Sequence, residues 1–222
     1  MIEHKQHSIS TNDDARDARY DHFDAIWAEY QSAGRGQRGH VWHSREGENL
    51  TFSVVLKPHF LPIVEQFLLS EVIALALVET LGKYGIECRI KWTNDIYAGN
   101  KKIVGVGINV NQRSFPEDLP NPTSMYMERG REFDREEVLR EFINALRRWY
   151  DVLERGDKET VQSSYRKLMY RLDEAHTYYL PTGEAFTATI RGVRPSGQLC
   201  LEHSDGLMRE YAFKEVEFKI VK

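Results

Sequence analysis

Apolar residues recur at helical spacing in three stretches of the chain and at strand spacing in most of the others. The clearest helix is predicted over Pro62–Lys83. Phe67, Leu68, Val72, Leu75 and Val78 give it a wide apolar face, Pro62 suits the first turn, and Gly82 and Gly85 suit the end. A second helix is predicted from about Asp134 to Arg155, where Val138, Phe142, Leu146, Trp149 and Leu153 repeat. Asp134 can cap it, with Glu137 three residues later as in a capping box. A third, over Glu159–Leu172, places Val161, Tyr165, Leu168 and Leu172 on one side. Strands are predicted at Phe23–Gln31, Leu50–Leu56, Ile86–Trp92 and Ile103–Asn111. Ser10-Thr11-Asn12 offers helix caps before a short charged stretch ending near Tyr20. After about residue 173 the pattern changes to short strands. Pro181-Thr182-Gly183, Pro195-Ser196-Gly197 and Ser204-Asp205-Gly206 separate them, and Val216, Phe218 and Ile220 alternate cleanly. The expected organisation is an α+β domain over 1–172 and a small β-barrel over 173–222.

Composition narrows the class. The 222 residues are 41% hydrophobic and 29% charged, which suits a globular protein and argues against disorder. Thirty Lys and Arg stand against 34 Asp and Glu, so no general electrostatic attraction to nucleic acid is expected. Cys88 and Cys200 lie far apart and suggest neither a disulfide framework nor a metal cage, which favours a reducing, cytoplasmic compartment. The longest apolar run, Val72 to Val78, is far short of the roughly 20 residues that cross a membrane, so no membrane partner is expected. The charged first thirty residues exclude a signal-peptide core.

Three segments have the makings of a ligand site. Gly34-Arg35-Gly36-Gln37-Arg38-Gly39 follows a strand, and glycine-rich backbone beside two guanidinium groups suits phosphate or carboxylate. It lacks the Gly-Lys-Ser/Thr of a P-loop and the helix of a dinucleotide fingerprint; the plainer reading is a flexible surface loop. Lys91-Trp92-Thr93-Asn94-Asp95 ends a strand; its Trp can stack on a ligand ring while the polar groups orient it, or it is a core Trp before an Asx turn. Gly105-Val106-Gly107-Ile108-Asn109 sets two glycines inside a strand, which points to close approach of a ligand or another backbone. Lys101 and Lys102 precede it, and one of the two reads as a solvated hairpin tip. His4 and His7 fall in a stretch read as a loose terminus. His40 and His43 fall in an apparent strand that would put them on opposite faces, so histidine metal binding is not expected. No Gly-x-Ser-x-Gly elbow or Cys/His signature supports nucleophilic hydrolysis.

Taken together and in this order, the segments resemble the biotin–protein ligases. That family has a Ser-Thr-Asn element, matched by Ser10-Thr11-Asn12, and a Gly-Arg-Gly-Arg-Arg-Gly loop followed by Trp, matched by Gly34–Gly39 and Trp42. Its Lys-Trp-Pro-Asn-Asp element is matched by Lys91–Asp95 and its Gly-x-Gly-Ile-Asn strand by Gly105–Asn109. The likeness covers nearly the whole chain. It implies a mixed sheet with helices on one face, like the class II synthetases, plus a small C-terminal SH3-like β-barrel. It also implies ATP-dependent activation of biotin as biotinyl-5′-AMP, with Mg²⁺, and transfer to a lysine of a biotin carboxyl carrier domain of a carboxylase.

By the same resemblance, Ser10, Thr11, Asn12 and Gln31 would bind biotin. Arg35, Gly36, Gln37 and Arg38 would close over the adenylate, and Trp42 would pack against it. Lys91, Asn94, Asp95 and Asn109 would hold nucleotide and metal, with Asp95 as the Mg²⁺ ligand. Lys102 and Arg35 would be the catalytic cations, Lys102 touching both the biotin carboxylate and the α-phosphate. Three departures stand out. Gln37 replaces an Arg, Thr93 replaces a Pro, and about 15–20 residues between two family strands are absent after Lys102, a gap of the size that loop and boundary placement can blur. Losing a central strand would expose unpaired backbone groups. The matched segment begins within ten residues of Met1, which leaves no room for a helix-turn-helix module, so DNA binding is not expected. Two alternatives stay open: a lipoate–protein ligase, or a catalytically impaired biotin- or adenylate-binding module. The oligomeric state stays open too, a homodimer included.

Overall fold

The computed structural model describes residues 1–34, 44–92, 102–117 and 122–217. The chain divides into two compact units. One is formed by Met1–His59, Glu79–Ile86 and Asn94–Arg147, the other by Phe60–Val78, Glu87–Thr93 and Arg148–Lys222.

The first unit is built on a mixed four-stranded sheet in the order β1-β2-β3-β4, with β1 Ile2–Ser8, β2 Ala25–Gln31, β3 Leu50–Leu56 and β4 Lys102–Ile108. β1 runs parallel to β2; the other pairs are antiparallel. β3 is buried along its whole length, as an apolar run flanked by two strands should be. On one face, α4 (Arg135–Glu154) packs Phe142 edge-to-face on Phe52, ring centroids 5.2 Å apart. On the other, the one-turn helix α1 (Thr11–Asp14) leads into a buried cluster of Ala15, Tyr20, Ile26 and Val55.

The N-terminal stretch was expected to be loose, yet it is β1. His4 stacks on Trp27 with centroids 4.1 Å apart, and its Nε2 lies 2.8 Å from Glu29 Oε1. Glu29 also pairs with Arg135 at 2.6 Å. Burial works to raise the Glu29 carboxyl, but the Arg135 guanidinium outweighs it and holds the group below its usual range. His7 packs instead against Tyr30, so the two histidines do not share a site.

β4 settles what the short segment after Lys102 becomes. Lys102–Ile108 pairs residue for residue with Leu56–Leu50. Among the described residues no strand pairs with its outer edge. Lys102 opens this strand rather than a hairpin tip, and Lys101 lies outside the described residues. The strand ends before Asn109 because the next polar residues serve as anchors. Asn49 donates to Gln112 and accepts from the Val110 backbone, and Asn111 exchanges two hydrogen bonds with the Phe133 backbone. These anchors lead to an unexpected short helix, α3 (Met125–Arg129), capped by the Ser124 hydroxyl and closed by Gly130 in the left-handed region.

The second unit holds an antiparallel sheet, β5-β6-β7-β8, formed by Ala175–Tyr179, Ala185–Val193, Leu199–His203 and Met208–Tyr211. The predicted strand Ile86–Trp92 makes a single bridge, Ile90 to Met169, because its partner is the turn after a helix rather than a strand. That helix, α5 (Lys158–Leu168), stops four residues before its predicted end, where Met169 turns extended. The Pro62–Lys83 pattern splits into a 3₁₀ turn, Ile63–Glu65, and α2, Phe67–Lys83. Trp92 is buried, and its indole donates to Gly197 O at 2.9 Å. Gly197 has φ +91°, and a Cβ there would lie 2.7 Å from the Phe67 ring. No described helix is long and apolar enough to cross a membrane.

Candidate functional site

The Ser-Thr-Asn element sits where β1 hands over to α1. Ser10, Thr11 and Asn12 are all buried, which is unusual for three consecutive polar residues. Two contacts explain how they are held. The Thr11 backbone N–H donates to Gln31 Oε1 at 2.7 Å, and the Thr11 hydroxyl lies 2.9 Å from the Ser53 hydroxyl. The end of β2, the start of α1 and the middle of β3 therefore meet in one polar nest. Next to Thr11 in the chain, Asn12 Nδ2 is buried without a hydrogen-bond partner. Leaving a buried donor unpaired costs about 1–3 kcal/mol, so the geometry suits a ligand that brings an acceptor.

The Gly-x-Gly strand forms the adjoining wall. Gly105 lies directly across from Ser53, and Gly107 across from Thr51. Directly opposed residues of antiparallel strands share a face, so both glycines fall on the face that carries the Ser53–Thr11 contact. Both are exposed, leaving bare backbone beside the nest. The sequence missed Ser53. The signal was two buried hydroxyls, Thr51 and Ser53, inside the strand Leu50–Leu56, where an unpartnered polar group would be costly.

The expected residues divide clearly. Ser10, Thr11, Asn12 and Gln31 come together. Asn109, just beyond β4, donates through Nδ2 to Thr123 O at 3.1 Å and so tethers the next segment. Lys102, at the first residue of β4, takes the register position opposite Leu56, on the strand face of Val106 and Phe52 rather than that of Ser53. Lys91 is exposed and belongs to the second unit. Arg35, Gly36, Gln37, Arg38, Trp42, Asn94 and Asp95 lie outside the described residues, as do His40 and His43.

A mixed sheet with a buried polar nest at the end of a parallel strand pair, flanked by a Gly-x-Gly strand, is an architecture for holding a small polar-headed molecule against bare backbone. The model of the Biotin/lipoate A/B protein ligase family matches residues 4–118, a span that holds both the nest and β4. The chain belongs to that family. It is 30% identical over 212 residues to the bifunctional ligase/repressor BirA of Bacillus spizizenii, covering 84% of this chain and 64% of the relative. The chain thus spans somewhat under two thirds of that protein. It is 26% identical over 197 residues to the biotin–[acetyl-CoA-carboxylase] ligase of Mycobacterium tuberculosis, covering 79% and 71% of the two. Among solved structures, the Aquifex aeolicus biotin protein ligase in complex with biotin and ATP shares the fold at a TM-score of 0.83. The match covers 97% of each chain at 24% identity.

Proposed function

We propose that this chain is an ATP-dependent biotin–protein ligase. It condenses biotin with ATP to biotinyl-5′-AMP and pyrophosphate, then passes the biotinyl group to a lysine amine of a biotin carboxyl carrier domain. The observation that carries this reading is the buried nest with its unpaired Asn12 Nδ2. Biotin's ureido head has one carbonyl acceptor and two N–H donors. Asn12 Nδ2 answers the carbonyl, and the hydroxyls of Ser10 and Thr11 offer acceptors. Gln31 spends Oε1 on the Thr11 N–H, which leaves its amide hydrogens for the ligand.

In the first step a biotin carboxylate oxygen attacks the α-phosphorus and pyrophosphate leaves. Two anions must meet, so cations placed where charge develops lower the barrier. Lys102 and Arg35 are proposed for that role, and Gly36, Gln37 and Arg38 for the loop that shields the hydrolysable adenylate from water. Trp42 is proposed to pack against the intermediate, with Lys91, Asn94 and Asn109 on the nucleotide. Asp95, a hard oxygen donor, fits Mg²⁺, the ion that accompanies the triphosphate. We propose 1–172 as the catalytic domain and 173–222 as a small C-terminal barrel.

The test is to mix the protein with biotin, MgATP and a carrier domain. Pyrophosphate release and gain of one biotinyl group by the carrier are expected. Folded protein that does neither overturns the proposal. Lipoate substituted for biotin in the same assay tests the other substrate class of the family; it has no ureido head for Asn12 and should be the poorer substrate.

A further inference from the structure

The second unit holds a cavity of about 500 Å³ that the ligase proposal does not use. α2 contributes Glu71 to its wall, α5 contributes Arg166, and the sheet contributes Arg191, Val193 and Cys200. Glu71 is the anomaly. It is 2% exposed on a helix face shared with Leu68 and Leu75, and its Oε2 has no hydrogen-bond partner. Burial pushes its carboxyl up to about 8, so it carries a proton at neutral pH. A protonated carboxyl offers one donor and one acceptor in a single plane.

The arginines around the cavity are already matched, and Glu159 adds a further carboxylate to the wall. Arg191 pairs with Asp173 at 2.7 Å and Glu202 at 2.6 Å, Arg166 with Asp173 at 3.6 Å, and Arg194 with Glu210 at 2.7 Å. An anionic ligand would compete with those carboxylates for the guanidinium groups. A cationic one would face three arginines. The remaining wall is mixed: Met169, Val193 and Met208 are apolar, while Glu159, Gln162 and Ser163 are polar. A volume of this size is typical of small-molecule sites, which combine apolar walls with a few fixed polar groups.

We propose that this cavity binds a small neutral carboxamide, whose N–H and C=O form a paired hydrogen bond with Glu71 while its apolar body lies against Met169, Val193 and Met208. The site lies within the second unit and does not depend on the ligase reading.

The test uses the full chain with benzamide as probe, followed by backbone amide chemical shifts. Benzoate and benzylamine serve as the anionic and cationic comparisons. Benzamide should shift the amides of Gly192 and Cys200 and bind at least about tenfold more tightly than either charged analogue. Glu71→Leu should lose about tenfold or more, the equivalent of one buried hydrogen-bonded contact. Glu71→Gln, which keeps a donor and an acceptor, should stay within about threefold of the parent on the same scale. Equal benzamide binding by parent and Glu71→Leu, a preference for benzoate, or no shift at Gly192 and Cys200 would each overturn the proposal.

Discussion

Replacing Glu71 by Gln removes a titratable group from a wholly buried position while keeping its shape. The carboxyl titrates at about 8 in the fold against 4.5 for an ordinary glutamate, and burial is the cause. Between those values the folded chain binds a proton that the unfolded chain releases. Stability therefore falls as pH rises from about 4.5 to about 8, by about 1.4 kcal/mol per unit. At pH 7, some 2.5 units above the unfolded value, the penalty comes to about 3 kcal/mol. Glutamine has nothing to titrate and does not incur it. The Glu71→Gln variant should then be about 3 kcal/mol more stable than the parent near pH 7, with the advantage shrinking below about 1 kcal/mol near pH 5. Urea denaturation of parent and variant at several pH values reads this directly. An advantage that does not change with pH would mean that Glu71 does not titrate in the fold, and the reasoning from its burial would fail.

Arg35→Ala should weaken retention of biotinyl-AMP by roughly ten- to a hundredfold and Arg38→Ala by less, since a forked charge-assisted contact on the phosphate is worth about 1.5–3 kcal/mol; equal, small effects would favour a plain surface loop. Lys102→Ala should slow the single-turnover burst of pyrophosphate by about a hundred- to a thousandfold while Lys101→Ala stays nearly silent; the reverse would move the catalytic position by one residue. Ser53→Ala takes away the partner of the buried Thr11 hydroxyl. Biotin affinity, measured by calorimetry, should drop about five- to tenfold, and an unchanged affinity would separate that contact from the site. Arg135→Met breaks the half-buried pair with Glu29 and should cost about 1–3 kcal/mol near neutral pH. Because the pair holds the Glu29 carboxyl below 4.5, that loss should fade as pH falls through the acid range, which acid titration of both proteins would show.

What the sequence made legible follows the strength of its periodicity. Leu50–Leu56 carries Leu, Phe, Val, Val and Leu around two hydroxyl residues, and the α4 stretch repeats its apolar residues without a break, so both elements stand close to their expected places. β1 was illegible because Glu3, His4, Lys5, Gln6 and His7 are polar on both faces. Its strand conformation comes from pairing with β2 and from the His4 contacts to Trp27 and Glu29, which lie more than twenty residues away. Ile86–Trp92 has strand-like alternation, but alternation cannot say whether a neighbouring strand exists, and here Ile90 meets the turn at Met169. The candidate site divides in the same way. Ser10, Thr11 and Asn12 stood out as a motif, whereas Ser53 joins them through a contact 42 residues distant in sequence.

The pairing of β4 with β3 ties the site to the core. Val106 stands across from Phe52 and Ile108 across from Leu50, while Gly105 and Gly107 stand across from Ser53 and Thr51. One strand thus presents side chains to the face that α4 covers and bare backbone to the face that holds the polar nest. A slip of one residue would exchange the two sets. It would bring Val106 over the Ser53–Thr11 contact and set a glycine against the Phe52 layer, where it would leave a void. The burial of Ile108, at 6% exposure, and of Phe52, at 1%, opposes that slip. The same apolar contacts that hold β4 in the sheet therefore keep its glycines beside Ser53, and one strand carries both duties.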